Sequence, residues 1–398
     1  MRNLLVGEAL ARAAETLGPV FTKAAQAISY RTDLLPQSFL EPLARLQENV
    51  RSQRAFDREL AVCATLLRPP NNELSSVDEL PIACGSIAAV FRATTRAGFS
   101  VAIKVVRPGV AEAINLDLAC LRVLMLRAAR MRLAAGIPVM EIFESIADMV
   151  AGQCDMVREA QNLQAFAKSA SQTRGISIPH RRENPTMSPN LLVMDYVDDG
   201  VSISSSDLDD WRFKSASLNL LRFLYRMIFI DGFVHCDLHP GNIRVRLDGS
   251  VCLLDAGLAA KLTPEDRDGF RDFFVALACG DTDAMTSAII KSATSVPADL
   301  AQIELRADVE TLVRRYSGRN AGDFAVAEFV YRVFDLQRKH RLYGAPGFVS
   351  AIWALLMFEG VVRNRYPDLD FQSEARPYAV ASLLLSNSRP RSMNGTRA

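Results

Sequence analysis

Three polar residues fall at fixed intervals between Phe233 and Ala259. Asp237 follows an apolar helix, Asn242 comes five residues later, and Asp255 ends a hairpin that turns at Asp248-Gly249. Carboxylate and amide oxygens are the ligands that hard divalent cations such as Mg²⁺ prefer. A second carboxylate nearby can orient a hydroxyl group or accept its proton. If the fold brings these three residues together, they could hold a cation and orient a hydroxyl group.

Protein kinases present the same order of residues. There, an Asp of the catalytic loop, an Asn five residues on and the Asp of an Asp-Phe-Gly triplet orient the hydroxyl group and ligate the metal. One such triplet is weak evidence. The full order, with a hairpin between Asn242 and Asp255, is far more specific.

Lys104 stands in the middle of the apolar strand FSVAIKVV. Burying an unpaired lysine is costly, so it should meet a carboxylate or a phosphate. The helical segment QCDMVREAQNLQAF carries Asp155, Glu159 and Asn162 on one stripe. Glu159 is a reasonable partner for Lys104. Considered alone, however, the stripe is more typical of a helix face that points to solvent.

The segment PIACGSIAAVFRA predicts a strand, a loop of small residues and a second strand. Small residues let backbone approach a ligand, as phosphate-binding loops do. The same composition suits a tightly packed hairpin, and the residues alone leave both interpretations open.

Composition narrows the class of protein. The 398 residues are 49% apolar and 23% charged, which is ordinary for a globular chain. Lys plus Arg (46) nearly equals Asp plus Glu (45), so no basic field indicates a nucleic-acid partner. The seven cysteines are scattered singly, which is typical of a reducing cytosol.

Hydropathy gives expectations about location. The first 18 residues lack the continuous apolar core of a signal peptide, and no run of 18 apolar residues occurs. We expect a cytoplasmic protein with no signal peptide and no transmembrane helix. A peripheral contact with the inner face of a membrane, through the amphipathic helix 4–17, is a further hypothesis.

Periodicity divides the chain into a helical start, a strand-rich part and a helical second half. We predict boundaries at 1–79, a helical extension; 80–200, a small lobe with inserted helices; 201–385, a helical lobe carrying the polar loops; and 386–398, a disordered tail. The predicted helices are 4–17, one opening at Pro19, 36–47, 52–67, 110–170 interrupted at Pro138, 211–231, one opening at Pro264, 281–293, 297–316, 323–340 and 346–364.

Several segments together resemble the UbiB-type atypical protein-kinase-like family, which is associated with ubiquinone biosynthesis. The resemblance covers residues 15–370 and is carried by LGPVFTKAAQAISYRTDLLP, PIACGSIAAVFRA, VAIKVVRPG, CDMVREAQN, FVHCDLHPGNI and LLDAGL. Three positions depart from the family's pattern: Ala25 stands where glycine is usual, Gln153 where an acid is usual, and Ala256 where phenylalanine is usual.

The resemblance implies an α+β, bilobal, protein-kinase-like fold with a small mixed N-lobe, a mostly helical C-lobe and an N-terminal helical extension covering the cleft. It implies ATP and Mg²⁺ or Mn²⁺ as cofactors. Lys104, oriented by Glu159, would contact the phosphates, Asp237 would be catalytic, and Asn242 with Asp255 would ligate the metal. The other implied positions are Ala83, Cys84, Gly85, Ser86, Ile87 and Val90 over the nucleotide; Met194, Asp195, Tyr196 and Val197 at its adenine; and Lys23, Gln26 and Asp155 as a gate, with Lys23 also catalytic.

Taken from Lys23 and Gln26 alone, the alternative to a gate is a solvated helix surface. In the family, that lysine blocks a protein substrate, so the resemblance implies ATP hydrolysis or phosphorylation of a small or lipid-like molecule. The implied role is support of isoprenoid quinone biosynthesis, with lipid or quinone precursors and enzymes of that pathway as partners. A non-catalytic scaffold gated by nucleotide, binding a partner enzyme or a membrane, is the alternative. An ordinary protein kinase is disfavoured because no Ala-Pro-Glu segment follows Asp255.

Overall fold

A computed structural model of the protein describes residues 2–17, 21, 25, 37–44, 46, 74–85, 87–130, 139–182, 190–318 and 324–387. The first half of this described chain contains the elements α1 (Arg2–Leu17), α2 (Gln37–Ala44), β1 (Leu74–Val77), β2 (Ala83–Cys84), β3 (Ala88–Thr95), β4 (Ser100–Val106), α3 (Val110–Ala128), α4 (Val139–Gly152), α5 (Met156–Ala170), β5 (Ile176–Ser177) and β6 (Leu191–Asp195). The second half contains β7 (Val201–Ser202), α6 (Asp210–Arg226), a π-helical turn (Met227–Asp231), β8 (Phe233–His235), a 3₁₀ turn (Pro240–Asn242), β9 (Ile243–Val245), β10 (Val251–Leu253), β11 (Ala259–Lys261), α7 (Pro264–Cys279), α8 (Thr282–Lys291), α9 (Gln302–Tyr316), α10 (Val326–Lys339), α11 (Pro346–Val362) and α12 (Phe371–Asn387).

The N-lobe is built on an antiparallel sheet in the order β1-β3-β4-β6, with β2 paired to β3. Its strands alternate, so that Phe91 and Ile103 are fully buried on one face. Ala102 and Leu192 point to the other face, which packs against α5 and the rest of the core. Lys104 shares that second face because the side chains of a strand alternate with a period of two. The sheet therefore presents the lysine toward α5 and the C-lobe.

The C-lobe carries two small sheets close to the N-lobe. One has the strand order β5-β10-β9-β7, and the other pairs β8 with β11. The predicted hairpin between Asn242 and Asp255 is β9–β10, turning at Gly249, whose φ of +74° disfavours any side chain. This hairpin brings Leu254 next to Asn242, whose backbone oxygen accepts the Leu254 N–H at 2.9 Å.

Helices α6 to α12 form the bulk of the C-lobe around a core rich in aromatic rings. The ring of Phe270 packs between those of Phe229 and Phe348, with its centroid 5.7 Å from each. Helix α10 has no side-chain cap of its own. Glu359 of α11 supplies one, accepting the backbone N–H groups of Val326 at 2.8 Å and Ala327 at 2.6 Å. The two helices are thereby joined by hydrogen bonds as well as by packing.

The N-terminal helices pack on each other around Ala11, Ala14, Leu40 and Leu43. Ala25, where the resembled family has glycine, is buried in the same cluster. Phe21 contacts this cluster and also the core between α3 and α4. The N-terminal extension therefore packs against the inserted helices of the N-lobe. Within the described ranges, no helix is long and apolar enough to cross a membrane.

Candidate functional site

The centre of the site is a buried lysine held by two carboxylates from different parts of the chain. The Lys104 Nζ donates to Glu159 Oε1 at 2.8 Å and to Asp255 Oδ2 at 2.7 Å. Lys104 belongs to β4, Glu159 to α5, and Asp255 follows β10 in the C-lobe. The pairing of Lys104 with Glu159 expected from the sequence is present, and the second pairing joins the two lobes.

Burial and charge act in opposite directions on these three groups. Burial raises the pKa of Glu159 to about 7, although the positive charge of Lys104 works against the rise. Burial also opposes ionisation of Asp255, but the charge and hydrogen bond of Lys104 outweigh it and lower its pKa to about 2. Burial disfavours the ammonium of Lys104, yet Asp255 and Glu159 together raise its pKa. Asp255 is therefore the ionised partner of Lys104 near neutral pH, while Glu159 can take up a proton.

Helix α5 positions this cluster through side chains on its buried face. Asp155 is its N-cap and accepts the N–H groups of Val157 at 3.0 Å and Arg158 at 2.9 Å. The helix thus begins after Asp155 instead of including it. Glu159 and Asn162 are 1% and 8% exposed, which rules out a solvent-facing stripe. Asn162 Nδ2 donates to the carbonyl of Ala256 at 2.9 Å, so the same helix that pairs with Lys104 also fixes the residue after Asp255.

A single histidine ring connects the two carboxylate-bearing loops. His235 Nε2 lies 2.5 Å from the Asp255 carbonyl oxygen, and its Nδ1 accepts the Asp237 N–H at 3.2 Å. This arrangement requires a neutral ring with its proton on Nε2. Burial lowers the pKa of His235, which favours the neutral form. The relative placement of Asp237 and Asp255 is therefore set by a residue that the sequence analysis did not single out.

Asp237 and Asn242 face each other across the 3₁₀ turn. Asn242 Nδ2 donates to the Asp237 carbonyl oxygen at 3.1 Å and lies 3.4 Å from its Oδ2. Asn242 is buried, whereas the Asp237 side chain is 34% exposed. With its NH₂ group directed at Asp237, the amide of Asn242 keeps its oxygen for another partner. The Asp237 carboxylate is accessible to a ligand.

The side-chain oxygens of Asp255 and Asn242 are of the kind that Mg²⁺ and Mn²⁺ prefer as ligands. Gly257 N–H donates to Asp255 Oδ1 at 2.7 Å and fixes the carboxylate. The described residues contain no cluster of three or more His, Cys, Asp or Glu that could hold a metal alone. Magnesium does not need one, since it is commonly bound by one or two protein oxygens together with substrate phosphates and water. Asp255 and Asn242 match that pattern.

The small-residue loop forms a hairpin beside Lys104. Gly85 N–H donates to the Ala88 carbonyl at 2.9 Å, and Ile87 is buried against α3 and α4. Val90 lies directly opposite Lys104 in the β3–β4 pair. Ala83 is exposed, while Cys84 and Gly85 are half-buried. The hairpin borders the cleft, and its role as a cover over the nucleotide stays a prediction.

The predicted lobe connection follows β6. Met194 is buried in the sheet opposite Ala102, and the chain from Tyr196 leads to β7 in the C-lobe. The Asp195 carboxylate turns away to pair with Arg182 at 2.5 Å. Val197 lies in the connecting stretch between the two strands. The segment has the expected position between the lobes, and its contact with adenine stays a prediction.

Three predicted site residues, Lys23, Gln26 and Ser86, lie outside the described residues. Their roles as gate, catalytic residue and nucleotide cover stay predictions, as do the domain boundaries. Sequence reasoning also gave no structural role to His235. Its position two residues before Asp237, in the string HCDLH, was the available signal.

Three comparisons relate this chain to known proteins. Residues 45–289 match the ABC1 atypical kinase-like domain. Two proteins of Pseudomonas fluorescens strains, each named "Probable protein kinase UbiB", are 29% identical over 388 and 391 residues, covering 94% of this chain and 71% of the relative. A solved complex of Rv3197 with erythromycin from Mycobacterium tuberculosis is similar with a TM-score of 0.45 and 21% identity over 73% of each chain. The match to the kinase-like domain, with the two lobes described above, confirms the predicted α+β, bilobal, protein-kinase-like fold.

Proposed function

This chain belongs to the ABC1 atypical kinase-like family, of the UbiB type, and from that premise we propose that it binds ATP between its lobes and uses it as a phosphotransferase or an ATPase. The observation that carries the proposal is the contact of Lys104 with Glu159 and Asp255 at 2.8 and 2.7 Å. A buried cation shared by a helix of one lobe and a loop of the other is the arrangement that kinase-like enzymes use on nucleotide phosphates.

Each side chain has a role that its contacts support. Lys104 would neutralise the phosphates, and Glu159 would keep it in place. Asn242 and Asp255 would hold Mg²⁺ or Mn²⁺, which when bound neutralises phosphate charge. The accessible carboxylate of Asp237 would orient the attacking hydroxyl group or water. The hairpin from Ala83 to Val90 would cover the nucleotide, and Met194 to Val197 would border its adenine.

Two asparagine variants test these roles separately. Asp255→Asn should abolish metal-dependent nucleotide binding, measured by calorimetry with ATP in the presence and absence of Mg²⁺. Asp237→Asn should keep that binding and lower ATP turnover by about 10²–10⁴-fold. Asp283→Asn, on the exposed surface of α8, is the matched control for losing one carboxylate. Unchanged ATP affinity with Mg²⁺ in Asp255→Asn would refute the metal site.

The same experiment addresses the non-catalytic alternative. If wild type and Asp237→Asn bind ATP equally and turn over equally little, the protein is a nucleotide-gated scaffold. Exposed apolar residues on α1, among them Leu5, Val6 and Leu10, would then be the first surface to test for a partner enzyme or a membrane.

We further propose that the acceptor is water or a small, lipid-like molecule of isoprenoid quinone biosynthesis, and not a protein. The support is the short chain after Asp255: β11 pairs with β8 directly after Gly257, and the N-cap of α7 follows at Thr263. That leaves no long segment on which a peptide could lie. Vesicles containing a prenylated phenol should stimulate ATP turnover more than vesicles without it. Phosphate transfer to a generic protein substrate at a comparable rate would contradict the proposal.

A further inference from the structure

A cavity of about 330 Å³ lies beside the candidate site and shares none of its ligating side chains. Its lining comes from α4, from the stretch Gly257 to Lys261 and from the first turns of α11. Cys236 and Gly257 also line it, so it touches the chain one residue from Asp237 and two residues from Asp255. Its volume falls within the range of cavities that bind small molecules.

Part of the cavity wall is apolar. Ile146 and Met149 come from α4, Leu258 from the stretch before β11, and Val349 and Trp353 from α11. Ile146 and Val349 are buried, whereas Met149, Leu258 and Trp353 are half-buried. A surface of this kind suits an apolar body the size of one aromatic ring or a short chain.

The charges at the cavity leave an excess of one positive group. Arg158 and Asp148 face it together but neutralise each other through two bonds of 3.1 and 3.0 Å. Lys261 also lines it and is exposed. Among the ion pairs between described residues, none involves Lys261. A ligand with an anionic group would find there a cation that forms no ion pair with the part of the chain that the structure describes.

We propose that this cavity binds a small amphipathic anion: an apolar body seated against Met149, Val349 and Trp353, with a carboxylate or phosphate group near Lys261. The site goes beyond the nucleotide function, because its lining residues do not include Lys104, Glu159, Asn242 or Asp255. Binding therefore requires neither ATP nor a metal ion.

The chain offers a direct optical test. It contains two tryptophans, Trp211 and Trp353, and Trp211 is 64% exposed on α6. In the full-length Trp211→Phe variant, Trp353 is the only tryptophan. Octyl phosphate and octanoate, below the concentrations at which they form micelles, should change its fluorescence saturably and protect it from acrylamide. The two probes also show whether a phosphate or a carboxylate is preferred.

Two probes of equal chain length test the charge. Octanol should bind about 2- to 5-fold more weakly than the anions, and octyltrimethylammonium should bind more weakly than octanol. In the same background, Lys261→Ala should weaken anion binding by about 2- to 5-fold, as expected for an exposed charge pair. Lys291→Ala, an exposed lysine on α8, is the matched control and should bind like the parent. Equal binding of anion and cation overturns the proposed chemistry.

Blocking the cavity tests the location. Ser350→Phe places a ring at the α11 wall and should reduce octyl phosphate binding more than tenfold; Ser145→Phe does the same from α4 if the first variant fails to fold. Circular dichroism verifies folding of each. Undiminished binding in a folded blocked variant overturns the site. Loss of ATP binding in Asp255→Asn with intact octyl phosphate binding separates this proposal from the nucleotide function.

Discussion

Replacing Glu159 by Gln should remove a pH dependence of stability that the buried cluster imposes on the folded protein. Glu159 is 1% exposed and has a pKa of about 7, against an ordinary value of 4.5, because burial outweighs its attraction to Lys104. Between those two pH values the folded chain keeps a proton on Glu159 that the unfolded chain has released. Stability from this group is therefore fully present below pH 4.5 and is lost as the pH rises toward 7.

The size of the effect follows from that window. Each pH unit over which the two states differ by a full proton corresponds to about 1.4 kcal/mol. From pH 5 to pH 7, where Glu159 is protonated in the folded state until its own pKa is reached, the wild type should lose ~2 kcal/mol of unfolding free energy through this group. Gln at the same position keeps the shape and the acceptor oxygen for Lys104 but cannot titrate.

Urea unfolding at pH 5, 6 and 7 measures this difference. The difference in unfolding free energy between wild type and Glu159→Gln should change by ~2 kcal/mol from pH 5 to pH 7. His235, whose pKa is lowered by burial, adds a dependence of the opposite sign, but it is present in both proteins and cancels in this difference. Glu304→Gln, at an exposed position of α9, controls for the loss of one acidic group. Parallel pH profiles for wild type and Glu159→Gln would refute the reasoning.

Three further substitutions test contacts that hold the site and the C-lobe, each by urea unfolding. Asn162→Ala leaves the buried carbonyl of Ala256 without its donor and should lower the unfolding free energy by about 1–3 kcal/mol; a loss below about 0.5 kcal/mol would show that the hydrogen bond is dispensable. Glu359→Ala removes the acceptor of two N–H groups at the start of α10 and should lower the unfolding free energy by about 1–3 kcal/mol. The control Glu310→Ala, in an exposed ion pair, should lower it by about 0–1 kcal/mol. Equal losses of unfolding free energy would contradict the capping role. Thr263→Ala breaks the capping box of α7 and should cost about 1 kcal/mol, which Thr263→Ser should largely restore; no difference between Ala and Ser would argue against the cap.

The parts of the site that sequence could predict are those set by local spacing. The interval between Asp237 and Asn242 and the Asp248-Gly249 turn determine a short loop and a hairpin whatever surrounds them. The lysine in an apolar strand was expected to meet a carboxylate or a phosphate, and Glu159 is the carboxylate partner named for it. These inferences depended on the cost of burying charge and on turn geometry, both of which are readable from a few neighbouring residues.

The parts that sequence could not predict depend on contacts between distant segments. The bond between Lys104 and Asp255 joins residues 151 positions apart. From the sequence, Asp255 was assigned only to the metal, together with Asn242, and not to the lysine. The ring of His235 joins two loops that only the fold brings together. Asp155 was placed within a helix stripe, but it caps that helix, because an aspartate at an N-terminus satisfies backbone donors that it cannot reach from the interior. The predicted helix 211–231 is α-helical only to Arg226 and ends in a π-helical turn.

The pairing of β11 with β8 has a consequence for regulation. In many kinases the chain after the metal-binding Asp is a long segment that phosphorylation orders or releases. Here residues in the stretch 256–263 already belong to ordered contacts. The Ala256 carbonyl accepts a hydrogen bond from Asn162, Ala259 to Lys261 form β11, and Thr263 caps α7. A switch that works by ordering this stretch has no unordered residues to act on. This stretch of the protein is in that respect already folded, and we expect any ATP turnover to respond to what occupies the cleft instead of to a modification beside Asp255.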